Sequence, residues 1–274
     1  MKAPVRAIER AFAACRREKR AAFIPFLMAG DPNLEATGDL IEALARGGAD
    51  VIELGLPFSD PIADGPVNQR AASRALAAGT TLSGVLETIA DRRRRVEVPI
   101  VLFTYFNPIH ARGLERFAEQ AAGSGVDGVL CVDLPPEEGE RELVPILDAQ
   151  GVDSIYLLAP TSTKERIRRA ADASSGFLYY VSRTGVTGER NELAGELGDE
   201  IRRMKKKVRL PLAVGFGIST SEQVREVGAI ADGVVVGSAL VRLVEEHAGE
   251  LDLPERLEAR VRELSAALRQ GGAR

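Results

Sequence analysis

The sequence predicts an α/β protein built as a single (β/α)₈ barrel, a TIM barrel, with an extra helix at its N-terminus. Two observations support this prediction. Short apolar runs rich in strand-forming residues recur eight times along the chain, and longer charged stretches with helical periodicity separate them. Strands that alternate with helices form right-handed βαβ units and a parallel sheet. Eight such units in roughly 250 residues is the number that closes a barrel.

The predicted strands are near-continuous apolar runs, as expected for a parallel sheet that helices cover on its outer face. Turn-forming residues follow most of them, which fits strands that end in loops. In chain order they are Phe23–Met28, Val51–Leu56, Ile100–Tyr105, Gly128–Asp133, Ser154–Ala159, Gly176–Ser182, Leu212–Phe216 and Gly233–Gly237.

The segments between the strands are rich in Ala, Leu, Arg and Glu, which have high helix propensity. We expect Met1–Arg20 to form the extra helix, in a position to cover the bottom of the barrel, and Pro254–Leu268 to form the last outer helix. Gln270–Arg274 is expected to fray. The helices predicted between strands are Leu34–Arg46, Leu82–Arg95, Leu114–Ala122, Glu137–Ala149, Lys164–Ala171, Leu193–Lys206 and Ser221–Val227.

An open doubly wound sheet is the competing architecture. It would need an early nucleotide-binding loop of the G-x-G-x-x-G type, but the first strand is followed by Ala29–Pro32, which lacks that spacing. No linker or change of composition divides the chain, so residues 1–274 are predicted to form one domain.

Composition restricts the possible functions. A hydrophobic content of 45%, a charged content of 28% and a net charge of −4 indicate a soluble globular protein without a broad nucleic-acid-binding surface. No apolar run reaches the ~18 residues of a membrane span, and no secretory signal is visible. Cys15 and Cys131 make neither a disulfide framework nor a zinc-ligand set, and His110 and His247 lie outside the loop motifs. We therefore expect a cytoplasmic protein without a metal site.

Two carboxylates are the most informative residues. Glu53 lies inside the apolar run Val51–Leu56, where a buried charge is costly unless it is paired, neutralised or functional. Asp64 follows in a loop rich in Pro and Gly. Burial should raise the pKa of Glu53, whereas Asp64 in a polar loop should stay ionised. Such a pair, with separated pKa values, is typical of acid–base catalysis, although an Asp before Gly is also common in simple turns.

Glycine-rich loops follow strands six, seven and eight, at the rim where barrel enzymes place their active sites. They are Arg183–Gly188, Gly215–Ser219 and the pair Gly237 and Ser238, after which a helix opens at Ala239. Glycines let backbone N–H groups approach an anion, and a helix N-terminus adds a favourable dipole. One such loop would be explained more simply as a tight turn, but three on one rim predict a phosphate site.

Side chains alternate along a strand, so inward residues near the top of each strand should line the mouth of the barrel. This parity predicts an aromatic and apolar wall around Glu53, suited to a flat ring with a phosphate tail, although some of its members could simply fill the barrel core. The predicted wall residues are Phe26, Phe103, Leu130, Leu157, Tyr179, Phe216 and Val235.

Several motifs together resemble one known family. The segment Glu53–Pro66 (ELGLPFSDPIADGP), the loop Ser182–Gly188 (SRTGVTG) and Gly215–Ser219 (GFGIS) closely resemble the α subunit of tryptophan synthase. The segments Phe23–Phe26 and Ala29–Pro32 extend the match, which covers essentially the whole chain in the right order. The first segment is highly specific, whereas the glycine loops are shared more widely among phosphate-binding barrels.

The resemblance implies retro-aldol cleavage of indole-3-glycerol phosphate to indole and D-glyceraldehyde 3-phosphate, in L-tryptophan biosynthesis. Glu53 matches the general acid–base residue, Asp64 the carboxylate that binds the indole N–H, and Thr187 the loop residue that orients Asp64. Tyr179 matches a pocket tyrosine near the catalytic Glu. Phosphate-binding positions match Gly188, Gly217, Gly237 and Ser238, and ring-pocket positions match Phe26, Phe103, Leu130, Leu157, Phe216 and Val235. Phe103 and Val235 depart slightly from the side-chain sizes familiar at these positions.

The resemblance also implies a partner, the tryptophan synthase β subunit, in an α₂β₂ complex. Pyridoxal phosphate is then expected only in that β subunit, and no cofactor in this chain. Phe58, on the predicted rim, is a candidate docking residue if it is exposed, although it could equally fold back into its own loop. Two other functions stay open: a stand-alone indole-releasing lyase, and a non-catalytic phosphosugar-binding barrel that activates a partner.

Overall fold

The computed structural model describes residues 5–181, 190–215 and 217–269 of the chain. Within these residues eight parallel strands pair in chain order, and the last strand pairs with the first, so that the sheet closes into a barrel. The (β/α)₈ prediction is therefore confirmed, and the open doubly wound alternative is wrong. The strands are β1 (Ala22–Met28), β2 (Ile52–Gly55), β3 (Ile100–Thr104), β4 (Gly128–Cys131), β5 (Asp153–Leu158), β6 (Leu178–Val181), β7 (Leu212–Gly215) and β8 (Gly233–Val236).

Helices surround the barrel and connect its strands. Each predicted strand overlaps an observed strand, and each predicted helix overlaps at least one observed helix. The helices are α1 (Ala7–Arg17), α2 (Leu34–Gly47), α3 (Pro66–Ala77), α4 (Leu82–Arg92), α5 (Phe106–Arg112), α6 (Leu114–Ser124), α7 (Pro136–Glu142), α8 (Val144–Ala149), α9 (Lys164–Ala173), α10 (Arg190–Lys205), α11 (Ser221–Gly228), α12 (Ser238–Glu246) and α13 (Leu253–Arg269).

Three helical regions differ from the prediction. The single helix predicted over Glu137–Ala149 is two helices, α7 and α8, because Pro145 in the first turn of α8 cannot donate a backbone hydrogen bond to the preceding turn. Helices α3 and α5 were not predicted. In α3 the buried face consists of the small residues Ala71, Ala72 and Ala75, which give a weak apolar pattern. Its start is nevertheless marked by Pro66 at the first helical position, a known helix-start signal.

The core has an outer layer between the sheet and the helices and an inner layer inside the barrel. Helix α1 closes the lower end of the inner layer: Ile8, Phe12 and Cys15 pack with residues near the strand starts, such as Ala22 and Val51. The ring of Phe12 lies 5.5 Å from that of Phe177. The bottom of the barrel is thus sealed, which leaves the upper rim open for a site.

The structure tests only part of the predictions for the chain ends. Helix α13 matches the predicted last outer helix, while residues 270–274, predicted to fray, lie outside the described residues. Across the described ranges, no helix combines the length and the apolar character that crossing a lipid bilayer requires.

Replacing Phe12 should show how much the seal contributes to stability. Phe12 is 3% exposed, so Phe12→Ala leaves a cavity and should lower the free energy of unfolding by about 3 to 5 kcal/mol, measured by urea titration with far-ultraviolet circular dichroism. Phe12→Leu, which keeps most of the volume, serves as the control and should lose less. Equal stability of Phe12→Ala and the wild type would contradict the packing of α1 against the barrel.

Candidate active site

A cavity of about 310 Å³ opens at the carboxyl ends of the strands, opposite α1. Its volume lies at the lower end of the range for small-molecule sites. Ten of the residues predicted for the site line it: Phe26, Glu53, Asp64, Phe103, Leu157, Tyr179, Gly217, Val235, Gly237 and Ser238. Seven further residues complete the lining: Ala63, Gly65, Pro66, Val67, Asn68, Val132 and Val181.

Glu53 is held inside the barrel mouth by the register of β2. It pairs with Phe26 on β1 and Val101 on β3, so its side chain stands between apolar neighbours. The residue is 1% exposed, and its Oε1 has no hydrogen-bond partner. Desolvation by burial raises the pKa of Glu53 to about 8, as the sequence predicts in direction. At neutral pH the carboxyl group is therefore mostly protonated and can act as an acid.

Asp64 enters the same cavity from the loop between β2 and α3. The hydroxyl of Tyr105 donates a hydrogen bond to Asp64 Oδ2 over 2.8 Å, and it accepts one from the N–H of Ala63 over 3.0 Å. Burial raises the pKa of Asp64, while the side chains of Tyr105 and Asn68 act in the opposite direction. The two carboxyl groups therefore share one cavity. Among the described residues only Asp64 has side-chain donors, and these offset part of the upward shift that burial gives its pKa.

Tyr179 stands beside Glu53 at the top of β6. Burial first, and the neighbouring Glu53 second, raise the pKa of Tyr179 well above its ordinary value, so the phenol is neutral. Its ring requires a glycine on the next strand, because a Cβ at Gly215 would lie 2.3 Å from the Tyr179 hydroxyl. This contact explains a glycine of the Gly215–Ser219 motif by packing rather than by phosphate binding.

The other end of the cavity has features that would suit an anion. Gly217 has φ +69°, a left-handed conformation that favours glycine. Gly237 is the N-cap of α12, and Ser238 is the first residue of that helix. The N-terminus of α12 thus lies at the cavity, and backbone N–H groups and the dipole at a helix N-terminus attract phosphate. Among the residues that the structure describes, no group of three His, Cys, Asp or Glu side chains could share a metal ion.

Ion pairs connect the helices that carry the two ends of the cavity. Arg74 on α3 donates two hydrogen bonds to Asp31, at 2.9 and 2.7 Å, and a third to Glu245 on α12 at 2.7 Å. Arg70, one turn earlier, donates two bonds of 2.8 Å to Glu245. These contacts join α3, which begins just after Asp64, to α12, whose first residue Ser238 lines the cavity.

The structure corrects one wall residue and leaves three site residues without a test. Leu130 is fully buried in the inner core and is not among the residues that line the cavity. Val132, two residues later on the same face of the chain, lines the cavity instead. The alternation of side chains along the strand therefore predicted the inward face correctly. How deep an inward residue lies in the barrel depends on the tilt of the strand, which the sequence of a single strand does not reveal. Thr187, Gly188 and Phe216 lie outside the described residues.

Tyr105 and Asn68 contribute to the site but were not predicted. Tyr105 ends the predicted third strand, so its position at the rim was a signal that could have been used. Asn68 was missed because α3 itself was missed, and with it the fact that the first turn of this helix faces the cavity.

The loop before α3 also settles the position of Phe58. Its ring packs against that of Tyr105, just after β3, with centroids 5.1 Å apart, so Phe58 is half-buried against the rim of the barrel. Ile62, four residues later, is 86% exposed and is the apolar residue that this loop presents to solvent.

The burial of Glu53 predicts a specific dependence of stability on pH. Its pKa rises from an ordinary 4.5 to about 8 on folding, so the folded state holds the proton more tightly. The stabilisation from this group is complete below pH 4.5 and is lost as pH rises towards about 8, at about 1.4 kcal/mol per pH unit. Glu53→Gln should remove this decline in the free energy of unfolding, measured by urea titration between pH 5 and pH 8.

Glu87→Gln is the matched control, since Glu87 is exposed on α4 and its substitution should leave the pH dependence unchanged. An identical decline in Glu53→Gln and the wild type would mean that Glu53 ionises normally in the folded protein.

Comparison with known proteins agrees with this geometry. A family model described as tryptophan synthase alpha chain matches residues 12–270. The tryptophan synthase alpha chain of Geotalea daltonii is 50% identical over 261 residues, which cover 95% of this chain and 98% of that protein. The corresponding chain of Solibacter usitatus is 52% identical over 257 residues, covering 94% and 96%.

Solved structures give the same result. The tryptophan synthase subunit alpha of Legionella pneumophila superposes with a TM-score of 0.90 at 37% identity, covering 97% of this chain and all of that one. A chain of the tryptophan synthase α₂β₂ complex of Pyrococcus furiosus superposes with a TM-score of 0.83 at 42% identity, covering 90% and 99%. With this coverage in sequence and in structure, the chain belongs to the tryptophan synthase alpha chain family.

Proposed function

We propose that this chain is a carbon–carbon lyase that cleaves indole-3-glycerol phosphate to indole and D-glyceraldehyde 3-phosphate, as the α subunit of tryptophan synthase in L-tryptophan biosynthesis. The observation that carries the proposal is the position of Glu53, a buried and unpartnered carboxyl group in one cavity with Asp64 and the N-terminus of α12. A site for simple binding has no use for a buried acid. Membership of the family supports the same reaction.

The cavity provides separate places for the three parts of this substrate. The apolar side chains of Phe26, Phe103, Leu157 and Val235 suit the indole ring, and the rings of Phe26 and Phe103 meet edge to face with centroids 5.5 Å apart. Gly217, Gly237 and Ser238 would receive the phosphate. The glycerol chain between them would then pass Glu53.

The proposed reaction needs one proton delivered and one removed. Glu53, mostly neutral at pH 7, gives its proton to ring carbon C3. The resulting carboxylate takes the proton of the side-chain hydroxyl next to the ring. The O–H electrons form the aldehyde C=O, the bond from this carbon to C3 breaks, and its electrons return to the ring. Glu53 ends the cycle protonated, so the proton count balances.

Asp64 has the second role in this proposal. Protonation at C3 leaves a positive charge on the ring nitrogen, and a charged Asp64 that accepts the ring N–H would stabilise it. The hydrogen bond from Tyr105 holds Asp64 in place and favours its ionised form. Tyr179 would fix the position of Glu53 from the opposite wall. The resemblance assigns Thr187 to the orientation of Asp64 and Gly188 to the phosphate, and both assignments stay proposals.

The proposed chemistry is complete without a cofactor in this chain, since two carboxyl groups in fixed positions supply both proton transfers. We propose that the indole passes to a β subunit that holds the pyridoxal phosphate, in an α₂β₂ complex. The similarity to a chain of the Pyrococcus furiosus complex supports this partner. Ile62, exposed beside the cavity, gives the β subunit an apolar contact on the rim in place of Phe58.

Glu53→Gln tests the catalytic assignment. The amide keeps the shape of the side chain but can neither give nor accept the proton, so kcat for indole release should fall by about 10² to 10⁴. Substrate binding, measured by calorimetry on the inactive variant, should stay within about threefold. Glu87→Gln provides the control for loss of a surface carboxylate. Turnover at the wild-type rate in Glu53→Gln would remove Glu53 from the mechanism.

An assay of indole release from indole-3-glycerol phosphate, with and without a tryptophan synthase β subunit, tests the whole proposal. We expect weak activity alone and strong stimulation by the β subunit. High activity that the β subunit does not change would favour the stand-alone lyase. No activity in either condition would contradict the lyase and leave a phosphosugar-binding barrel.

A further inference from the structure

Asn68 places an unsatisfied oxygen at the edge of the active cavity. It lies in the first turn of α3, four residues after Asp64, and lines the cavity. Its Oδ1 is buried and has no hydrogen-bond partner. Among the described side chains that line the cavity, Glu53 Oε1 is the other buried oxygen in this condition. Because a buried carbonyl oxygen without a partner costs stability, the position of Asn68 is unfavourable until a ligand supplies a donor.

The neighbouring Asp64 determines which end of the amide faces which way. A carboxylate only accepts hydrogen bonds, so the NH₂ group of Asn68 must be the end that faces Asp64, where it favours the charged form. The carbonyl oxygen is the remaining end, and no described group donates to it. Asn68 therefore carries an acceptor without a partner next to the Asp64 carboxylate, and both residues line a cavity whose other walls are mostly apolar.

We propose that Asn68 is a positioning and specificity residue, whose Oδ1 accepts the ring N–H of the indole group together with Asp64. The inference rests on the proposed function for the identity of the ring. The ring N–H is the donor of the substrate that lies at the Asp64 end, whereas the hydroxyl groups lie towards Glu53. A site with two acceptors aimed at one N–H should discriminate against bicyclic rings that lack it, because their binding leaves both acceptors unpaired.

The test compares two ligands of similar shape, indole and benzothiophene, which has sulfur in place of the N–H. Dissociation constants are measured by ligand-observed NMR for the wild type, Asn68→Leu and Asn68→Ala. Leucine keeps the volume of asparagine without its polar atoms. We expect Asn68→Leu to weaken indole binding by about three- to tenfold, and to leave benzothiophene unchanged or bound more tightly. Ser73→Ala, on the exposed side of the same helix, should leave both constants unchanged.

A second readout separates this role from simple support of the helix. Loss of the amide should raise the pKa of Asp64, followed by ¹³C NMR of its carboxyl carbon, in both Asn68→Leu and Asn68→Ala. If Asn68→Leu does not fold, Asn68→Ala carries the test, with the prediction that indole binding falls by a larger factor than benzothiophene binding. Equal losses for both ligands, or none for either, would overturn the proposal.

Failure of this inference is distinguishable from failure of the proposed function, because ring binding is measured without turnover. A wild-type protein that binds indole in preference to benzothiophene but does not cleave indole-3-glycerol phosphate would contradict the lyase and leave the role of Asn68 intact. A lyase whose ring preference is unaffected in Asn68→Leu would do the reverse.

Discussion

The burial of the Glu53 carboxyl group is the constraint on which the chemistry of this barrel depends. A carboxylate in water has its pKa near 4.5 and holds no proton at pH 7, whereas the apolar mouth of the barrel moves the pKa of Glu53 to about 8. No described side chain donates a hydrogen bond to its Oε1, so desolvation acts without compensation. Keeping the Glu53 carboxyl group buried and neutral costs the fold stability, and a neutral carboxyl group is what a proton-transfer site requires.

The rest of the site is arranged around this constraint. Asp64 is buried as well, but the hydroxyl of Tyr105 donates a hydrogen bond to it. The two carboxyl groups in the cavity therefore differ in their hydrogen bonding. Arg74 joins α3, which follows Asp64, to Asp31 and to Glu245 on α12, the helix whose first residue lines the cavity. Asp31 is 2% exposed, and a buried carboxylate of this kind holds its partner firmly. Ion-paired helices therefore connect the Asp64 side of the cavity to the side that Gly237 and Ser238 line.

Stability and function occupy opposite ends of the barrel. The lower end is closed by Ile8, Phe12 and Cys15 of α1, which fill the space that the strand starts leave open. The upper end keeps its space, and glycines there make room for side chains and a ligand: Gly215 for the hydroxyl of Tyr179, and Gly217 through its left-handed conformation. Packing at the sealed lower end stabilises the barrel. This stability offsets the cost of an unpaired acid and an unpaired amide oxygen at the upper end.

Local sequence patterns were sufficient for most of the fold and part of the site. The recurrence of apolar runs identified all eight strands, and the contrast between Glu53 and its apolar neighbours identified the acid. Local sequence patterns failed where the apolar signal is weak or where the position of a residue depends on several elements together. The alanine-rich α3 has no strong apolar stripe, and with it Asn68 was missed. Leu130 faces inward as parity requires, but Val132 reaches the cavity.

The sequence by itself determined the barrel, the two carboxylates and the glycines at the mouth of the cavity, because these depend on residue type and on short spacing along the chain. Only the tertiary structure decided which inward residues stand at cavity depth and that Tyr105 donates to Asp64. It also decided that Phe58 packs on Tyr105 while Ile62 is exposed. These features depend on strand tilt, on register and on contacts between residues that are distant in sequence, none of which a local pattern contains.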